Sequence, residues 1–257
     1  MRPVTLIERL LSADLVLGEG SLYERLRREP AVRFDPDLAH ATLVYDDDAR
    51  AVLERTHREY LDIGQAHGVP MLTASDTWRA NRERHHRSPF RGRPVNQDNV
   101  RFLQGLRASY GRDAAPIAIG GSIGPRGDGY RPEEALDRAA AAAFHTPQVA
   151  ALAEARPDYL IGNTLPAVSE THGIADAFAA TGLPYILSFV VRADGTVLDG
   201  TPLRAAIDTI DADDPEALAG AIRDVGARFG MRCLGGCCGT GTAHIAALAR
   251  ARLEPAR

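Results

Sequence analysis

The sequence predicts an α/β protein whose strands form a parallel sheet. Short apolar runs typical of buried strands alternate along the chain with longer segments of helical pattern, as in repeated β/α units. The 257 residues, 45% of them hydrophobic, provide ample material for a buried core in one large domain or two small ones. Because no linker, repeat or low-complexity segment divides the chain, we expect residues 1–257 to form a single domain.

Six segments have the composition of buried strands, and six longer segments have a helical pattern. The predicted strands are 14–18, 69–74, 116–122, 158–162, 184–191 and 231–236. The predicted helices are 46–67, 96–110, 132–155, 169–181, 200–210 and 214–229. The alanine-rich segment 132–155 has the clearest helix propensity. The pattern therefore predicts about six β/α units.

The composition excludes several kinds of chemistry and partner. All thirty basic residues are arginines, and the absence of lysine excludes both Schiff-base catalysis and a P-loop lysine. The formal net charge is -4 and the one basic cluster, 79–93, is short, so we expect a solvated loop there and no nucleic-acid partner.

The sequence also lacks the features of a membrane or secreted protein. No run approaches the roughly 18 apolar residues that a membrane span needs, and acidic residues interrupt the apolar N-terminal segment. We therefore expect a cytoplasmic protein with no membrane partner.

Polar residues follow the predicted strands, where the carboxyl ends of a parallel barrel would meet at one rim. Each such residue taken alone more often forms a turn than takes part in catalysis. Their convergence at the same rim as a cysteine pair is the stronger indication of a site. The candidate substrate-binding residues at this rim are Glu19, Asp76, Trp78, Ser122, Asn163 and Thr164.

The three cysteines, Cys233, Cys237 and Cys238, fall within six residues near the last predicted strand. Two adjacent thiolates flanked by glycines suit a zinc ion, provided that the backbone turns there so that both side chains face one point. The alternative is that they are small buried hydrophobic residues. The spacing favours a metal site at Cys237 and Cys238.

Three short motifs stand out in the sequence: LGGCCGT at 234–240 followed by HI at 244–245, GGSIGP at 120–125, and NTLPAVSE at 163–170. Together they resemble the homocysteine S-methyltransferase family of zinc-dependent (β/α)8 barrels. The resemblance implies a TIM-barrel type of fold with Zn2+ as cofactor. It also implies transfer of a methyl group from a sulfonium or ammonium donor to a thiol such as homocysteine, which gives methionine. The partners would be that thiol acceptor and the methyl donor.

Carried over by position, the resemblance makes Cys237 and Cys238 zinc ligands and places Glu19 where the family's first-strand acid contacts substrate. Asn163 and Thr164 stand where the family usually has Glu-Thr, whose glutamate receives the amino group of homocysteine. An amide carries no charge, so Glu19 or Asp76 would have to supply the anion.

The sequence departs from the family in the segment before the last predicted strand. The family's Asn-Cys segment, which supplies a third zinc ligand, has no counterpart, and two strands are missing from the count. The barrel is therefore expected to be incomplete or distorted, or to be completed by a second copy, so a homo-oligomer is possible. Cys233 lies about 13 Å from Cys237 along an extended strand, which leaves His145, His244, Asp76 or water as the remaining candidates.

Two other functions are consistent with these residues. In the first alternative, the chain is a catalytically impaired member of this family that binds a metal or a small molecule without efficient turnover. Otherwise it would be a barrel hydrolase or lyase that uses the rim carboxylates of Glu19, Asp76 and Asp128.

Overall fold

The computed structural model describes residues 6, 10, 13–111, 114–210 and 233–234, and its centre is a parallel sheet. The strands are β1 (Val16–Gly18), β2 (Met71–Ala74), β3 (Ile117–Ile123), β4 (Tyr159–Leu165), β5 (Tyr185–Phe189) and β6 (Cys233–Leu234). They form a six-stranded sheet in the order β5-β4-β3-β2-β1-β6, and every pairing is parallel. The predicted α/β class and the six strands are confirmed.

Helices connect the strands. They are α1 (Leu22–Arg27), α2 (Asp47–His67), α3 (Arg82–Arg87), α4 (Val95–Ala108), α5 (Arg138–Glu154), α6 (Val168–Ala179) and α7 (Leu203–Ile210). Five of the predicted helices correspond to α2, α4, α5, α6 and α7. The sixth, at 214–229, lies outside the described residues.

Two short helices were not predicted. The expectation of a loop throughout 79–93 was wrong, because α3 forms there with the Asn81 side chain accepting a hydrogen bond from the backbone N–H of Arg84. The Ser21 hydroxyl caps α1 in the same way, at the N–H of Glu24. Local capping thus makes helices from segments with no long apolar stripe.

The core lies between the sheet and its helices. All seven residues of β3 are buried, since helices and neighbouring strands cover this central strand. Helix α2 contributes an inward face that includes Leu53, Tyr60 and Leu61. At its end Gly68 takes a positive φ of 62°, a left-handed conformation that suits glycine and stops the helix.

The two ends of the described sheet are β5 and β6. Strand β6 pairs with β1, where Cys233 lies opposite Val16 and Leu234 opposite Leu17. In the described ranges β5 pairs with β4 alone, so the sheet there is open between β5 and β6. None of the described helices is long and apolar enough to cross a membrane.

Candidate active site at the rim of the sheet

The carboxyl ends of β1 and β2 carry two carboxylates that are joined by one buried histidine. His57, from the inward face of α2, donates from Nδ1 to Glu19 Oε1 at 2.7 Å and from Nε2 to Asp76 Oδ2 at 3.0 Å. The ring of His57 is fully buried, and the side chains of Glu19 and Asp76 are only 8% and 2% exposed. The three side chains form a nearly dry triad.

A second histidine completes the surroundings of Asp76. His40 begins a 3-10 helix, His40–Tyr45, and its Nε2 lies 3.3 Å from Asp76 Oδ1. Tyr23 packs edge-on against the His40 ring, with 5.4 Å between the centroids, and Tyr23 in turn contacts Trp78. Both oxygens of Asp76 are therefore engaged by imidazole rings, whereas Glu19 uses Oε1 for His57.

The charges of this group decide its protonation. Burial by itself lowers the pKa of His57, but the charges of Glu19 and Asp76 and their hydrogen bonds outweigh burial and raise that pKa to about 10. Burial would raise the pKa of Asp76, whereas the charge of His57 and the hydrogen bond from His40 hold it well below its ordinary value. An imidazolium between two carboxylates leaves the triad with one net negative charge, which favours a cationic ligand.

Hydrogen bonds from the segment after β2 to β3 fix the direction of Asp76. The Ser75 hydroxyl accepts from the backbone N–H of Ser122 at 3.0 Å, and the Thr77 hydroxyl donates to the Ser122 carbonyl at 2.6 Å. Gln148 of α5 donates to the Thr77 carbonyl at 2.8 Å. Because Asp76 lies between two anchored residues, its carboxylate is held toward β1.

The remaining predicted rim residues come together between β2, β3 and β4. The Trp78 indole N–H donates to the Thr164 hydroxyl at 2.9 Å and lies 3.3 Å from the Asn163 carbonyl. The Asn163 amide donates to the Ser122 hydroxyl at 3.1 Å. Thr164 has a positive φ of 56° at an irregularity of β4, a strained conformation of the kind that clusters at functional sites.

Buried hydrogen bonds to Glu170 hold the loop after β3 in place. Glu170, in the first turn of α6, accepts from His145 Nε2 at 2.8 Å and from the backbone N–H of Arg126 at 2.7 Å. His145 is completely buried on α5, so its role here is to anchor the loop. Asp128, in the same loop, accepts from the N–H of Tyr130, as is usual in turns.

The predicted metal ligands Cys237 and Cys238 lie outside the described residues, as does His244. No group of three or more His, Cys, Asp or Glu side chains that could hold a metal ion occurs among the described residues. Asp76 is a poor third ligand, since both of its oxygens are already bonded to histidines. The carboxyl end of β6 lies beside β1, and the cysteine pair follows β6 in the sequence.

His57 and His40 were not among the site residues predicted from the sequence. A signal for His57 was present, because it falls at helical spacing between Leu53 and Leu61 on the inward face of α2, where an apolar residue is expected. His40 has no such pattern around it. Its position depends on the packing of the 3-10 helix against α2 and α4 and on the contact of its ring with Tyr23.

Comparison with known sequences identifies similar proteins. The sequence profile of the homocysteine S-methyltransferase family matches residues 16–222, a range that ends before Cys237. The homocysteine S-methyltransferase of Escherichia coli (strain K12) is 37% identical over 101 residues, which are 37% of this chain. That match spans only 33% of the length of the curated relative.

Solved structures of one protein share the fold. The metallated form of the homocysteine methyltransferase MmuM from Escherichia coli has a TM-score of 0.74 at 24% identity, over 96% of this chain and 100% of that one. The oxidized form has a TM-score of 0.73 at 23% identity, over 94% and 97% of the two chains. The predicted barrel type is confirmed at the level of the fold.

Proposed function

Since this chain belongs to the homocysteine S-methyltransferase family, we propose that it transfers a methyl group from a sulfonium or ammonium donor to a thiol such as homocysteine, giving methionine. The observation that carries the proposal is the assembly of the rim. Residues from the ends of four strands meet there, and the triad of Glu19, His57 and Asp76 contributes one net negative charge.

The charge supports an amino-acid acceptor. Glu19 Oε2 has no hydrogen-bond partner in the described part of the chain and would accept the acceptor's ammonium group, in place of the glutamate that Asn163 replaces. Asn163 and Ser122 would contribute neutral hydrogen bonds to the same ligand. A neutral amide in this position favours slower turnover than in a relative that has the glutamate.

The proposed cofactor is Zn2+, held by Cys237 and Cys238. Two adjacent thiolates are a donor set that zinc prefers, and β6, which precedes them in the sequence, ends beside the strand that leads to Glu19. Zinc would lower the pKa of the acceptor thiol and so favour its thiolate at neutral pH.

The chain's own residues would align the two substrates. The thiolate sulfur attacks the methyl carbon while the bond from that carbon to the donor's sulfur or nitrogen breaks, and the electron pair leaves with the donor as a neutral thioether or amine. The reaction needs no lysine and no general base, so holding the substrates in line is the main requirement. Trp78, fixed by Thr164, would form one wall of that space.

The test is an assay of zinc-loaded protein with homocysteine and, in turn, S-methylmethionine, S-adenosylmethionine and betaine. We expect methionine with at least one donor, and loss of both bound zinc and turnover in Cys238→Ser. Stoichiometric zinc without methionine from any donor would instead support an impaired member that binds metal.

Two further expectations remain proposals. The clustering of all three cysteines within six residues argues against a disulfide framework, which supports a reducing, cytoplasmic location. The absence of a dividing linker supports one barrel domain over residues 1–257.

A further inference from the structure

We propose that His57 is a positioning residue, which holds Glu19 and Asp76 in one arrangement so that Glu19 presents a fixed carboxylate oxygen to the acceptor's ammonium group. The inference rests on the proposed function for the identity of the ligand. It goes beyond that function by assigning a role to a residue of α2 that lies behind the rim.

The geometry of the His57 ring fixes its orientation. An ionised carboxylate only accepts hydrogen bonds, so a ring that binds one carboxylate at each nitrogen must donate from both. Two such bonds, to side chains from different strands, leave the His57 ring one orientation. The same bonds restrain Glu19 and Asp76 relative to each other.

The two carboxylates that bind His57 are not equivalent. Asp76 is bonded to His57 through one oxygen and lies within 3.3 Å of His40 through the other, so it acts on the ligand through His57. Glu19 binds His57 through Oε1 alone, and its side chain is the more exposed of the two. The hydrogen-bonded series Asp76–His57–Glu19 therefore leaves one carboxylate, that of Glu19 at the end of β1, to face the ligand.

A buried charged triad is unfavourable for the stability of the fold. Burying three charged groups carries a desolvation penalty that well-packed apolar side chains of similar volume would avoid, often with a gain in stability. The neighbouring inward positions of α2 hold Leu53 and Leu61, so an apolar residue at position 57 would continue the core. Stability by itself does not account for His57, whereas orienting a carboxylate does.

The experiment compares two ligands that differ only in the amino group. Calorimetry on zinc-loaded protein gives the Kd of homocysteine and of 4-sulfanylbutanoate, which has the thiol and the carboxylate but no ammonium group. We expect the wild type to prefer homocysteine by about 10-fold or more, because only homocysteine meets the oriented Glu19. In His57→Gln the preference should fall to about 3-fold or less.

The control is His67→Gln, the same substitution in the last turn of α2, which should keep the wild-type preference. A purely structural role for His57 would weaken both ligands equally, and an unchanged ratio in His57→Gln would overturn the proposal. If the wild type binds neither compound, the proposed function itself fails.

A second measurement needs neither a ligand nor a variant. In long-range ¹H–¹⁵N spectra of the wild type, we expect both ring nitrogens of His57 to have the shifts of a protonated imidazolium from pH 6 to pH 8. A ring that titrates as a free histidine in this range would show that it does not bridge two carboxylates, and would overturn the proposal whatever the protein catalyses.

Discussion

Replacing Gly124 by alanine is expected to displace Trp78 from the rim. A Cβ added at position 124 would lie 2.5 Å from Trp78 Cδ1 and 2.8 Å from Cε2, far inside the roughly 3.5 Å at which carbon atoms make favourable contact. Gly124 does not have a positive φ, so alanine is compatible with its backbone and the effect is steric. The indole has to move, and its hydrogen bond to Thr164 is then lost.

The magnitude follows from these two losses. Inserting a methyl group into a packed site costs about 1–3 kcal/mol. A lost hydrogen bond adds about 0.5–1.5 kcal/mol. Because Trp78 is only half-buried and can swing toward solvent, we expect the free energy of unfolding to fall by about 2 kcal/mol, near the lower end of the sum.

Trp78 is the single tryptophan of the chain, so its fluorescence reports the change directly. Urea unfolding would give the loss of stability, and the native emission of Gly124→Ala should shift to longer wavelength. Gly92→Ala is the matched control, since a Cβ at position 92 meets no described atom within 4 Å. Native emission and stability equal to those of the control would refute the steric argument.

The other predictions concern the charges and the metal. Cys237→Ser and Cys238→Ser should each strongly reduce the zinc content per chain measured by atomic absorption, whereas Cys233→Ser should hardly change it. An equal loss of zinc in all three variants would refute the assignment of the ligands. Asn163→Glu should lower the KM of homocysteine about 5-fold, because a charge-assisted hydrogen bond is worth roughly 1 kcal/mol more than a neutral one. The neutral Asn163→Gln is the control, and an unchanged KM in Asn163→Glu would contradict the prediction. Because the folded-state pKa of His57 is raised to about 10 from an unfolded value of about 6.5, its contribution to stability should be full below pH 6.5 and lost as the pH rises through 10. Urea unfolding between pH 6 and 10 should therefore show a steeper fall in the wild type than in His57→Gln, and parallel curves would count against a charged His57.

The strands were predictable because each is a short apolar run. A strand of a parallel sheet is buried on both faces, so its residues must be mostly apolar whatever its position in the sheet. The convergence of Asp76, Ser122 and Asn163 was predictable for a related reason, since residues at the carboxyl ends of parallel strands all lie at one edge of the sheet. The short helices α1 and α3 were not, because a single capping side chain and local packing make them, with no long periodic pattern.

The sequence by itself determined the α/β class, the position of candidate site residues at one rim of a parallel sheet, and the resemblance to a family. These features depend on periodicity and motifs, which are local properties of the chain. Only the tertiary structure decided that Glu19 and Asp76 share one imidazole ring. Residues 19, 57 and 76 are far apart in sequence, and their charges interact strongly only after folding has removed the water between them. The pKa of His57, and with it the magnitude of the negative charge of the triad, is therefore a property of the fold.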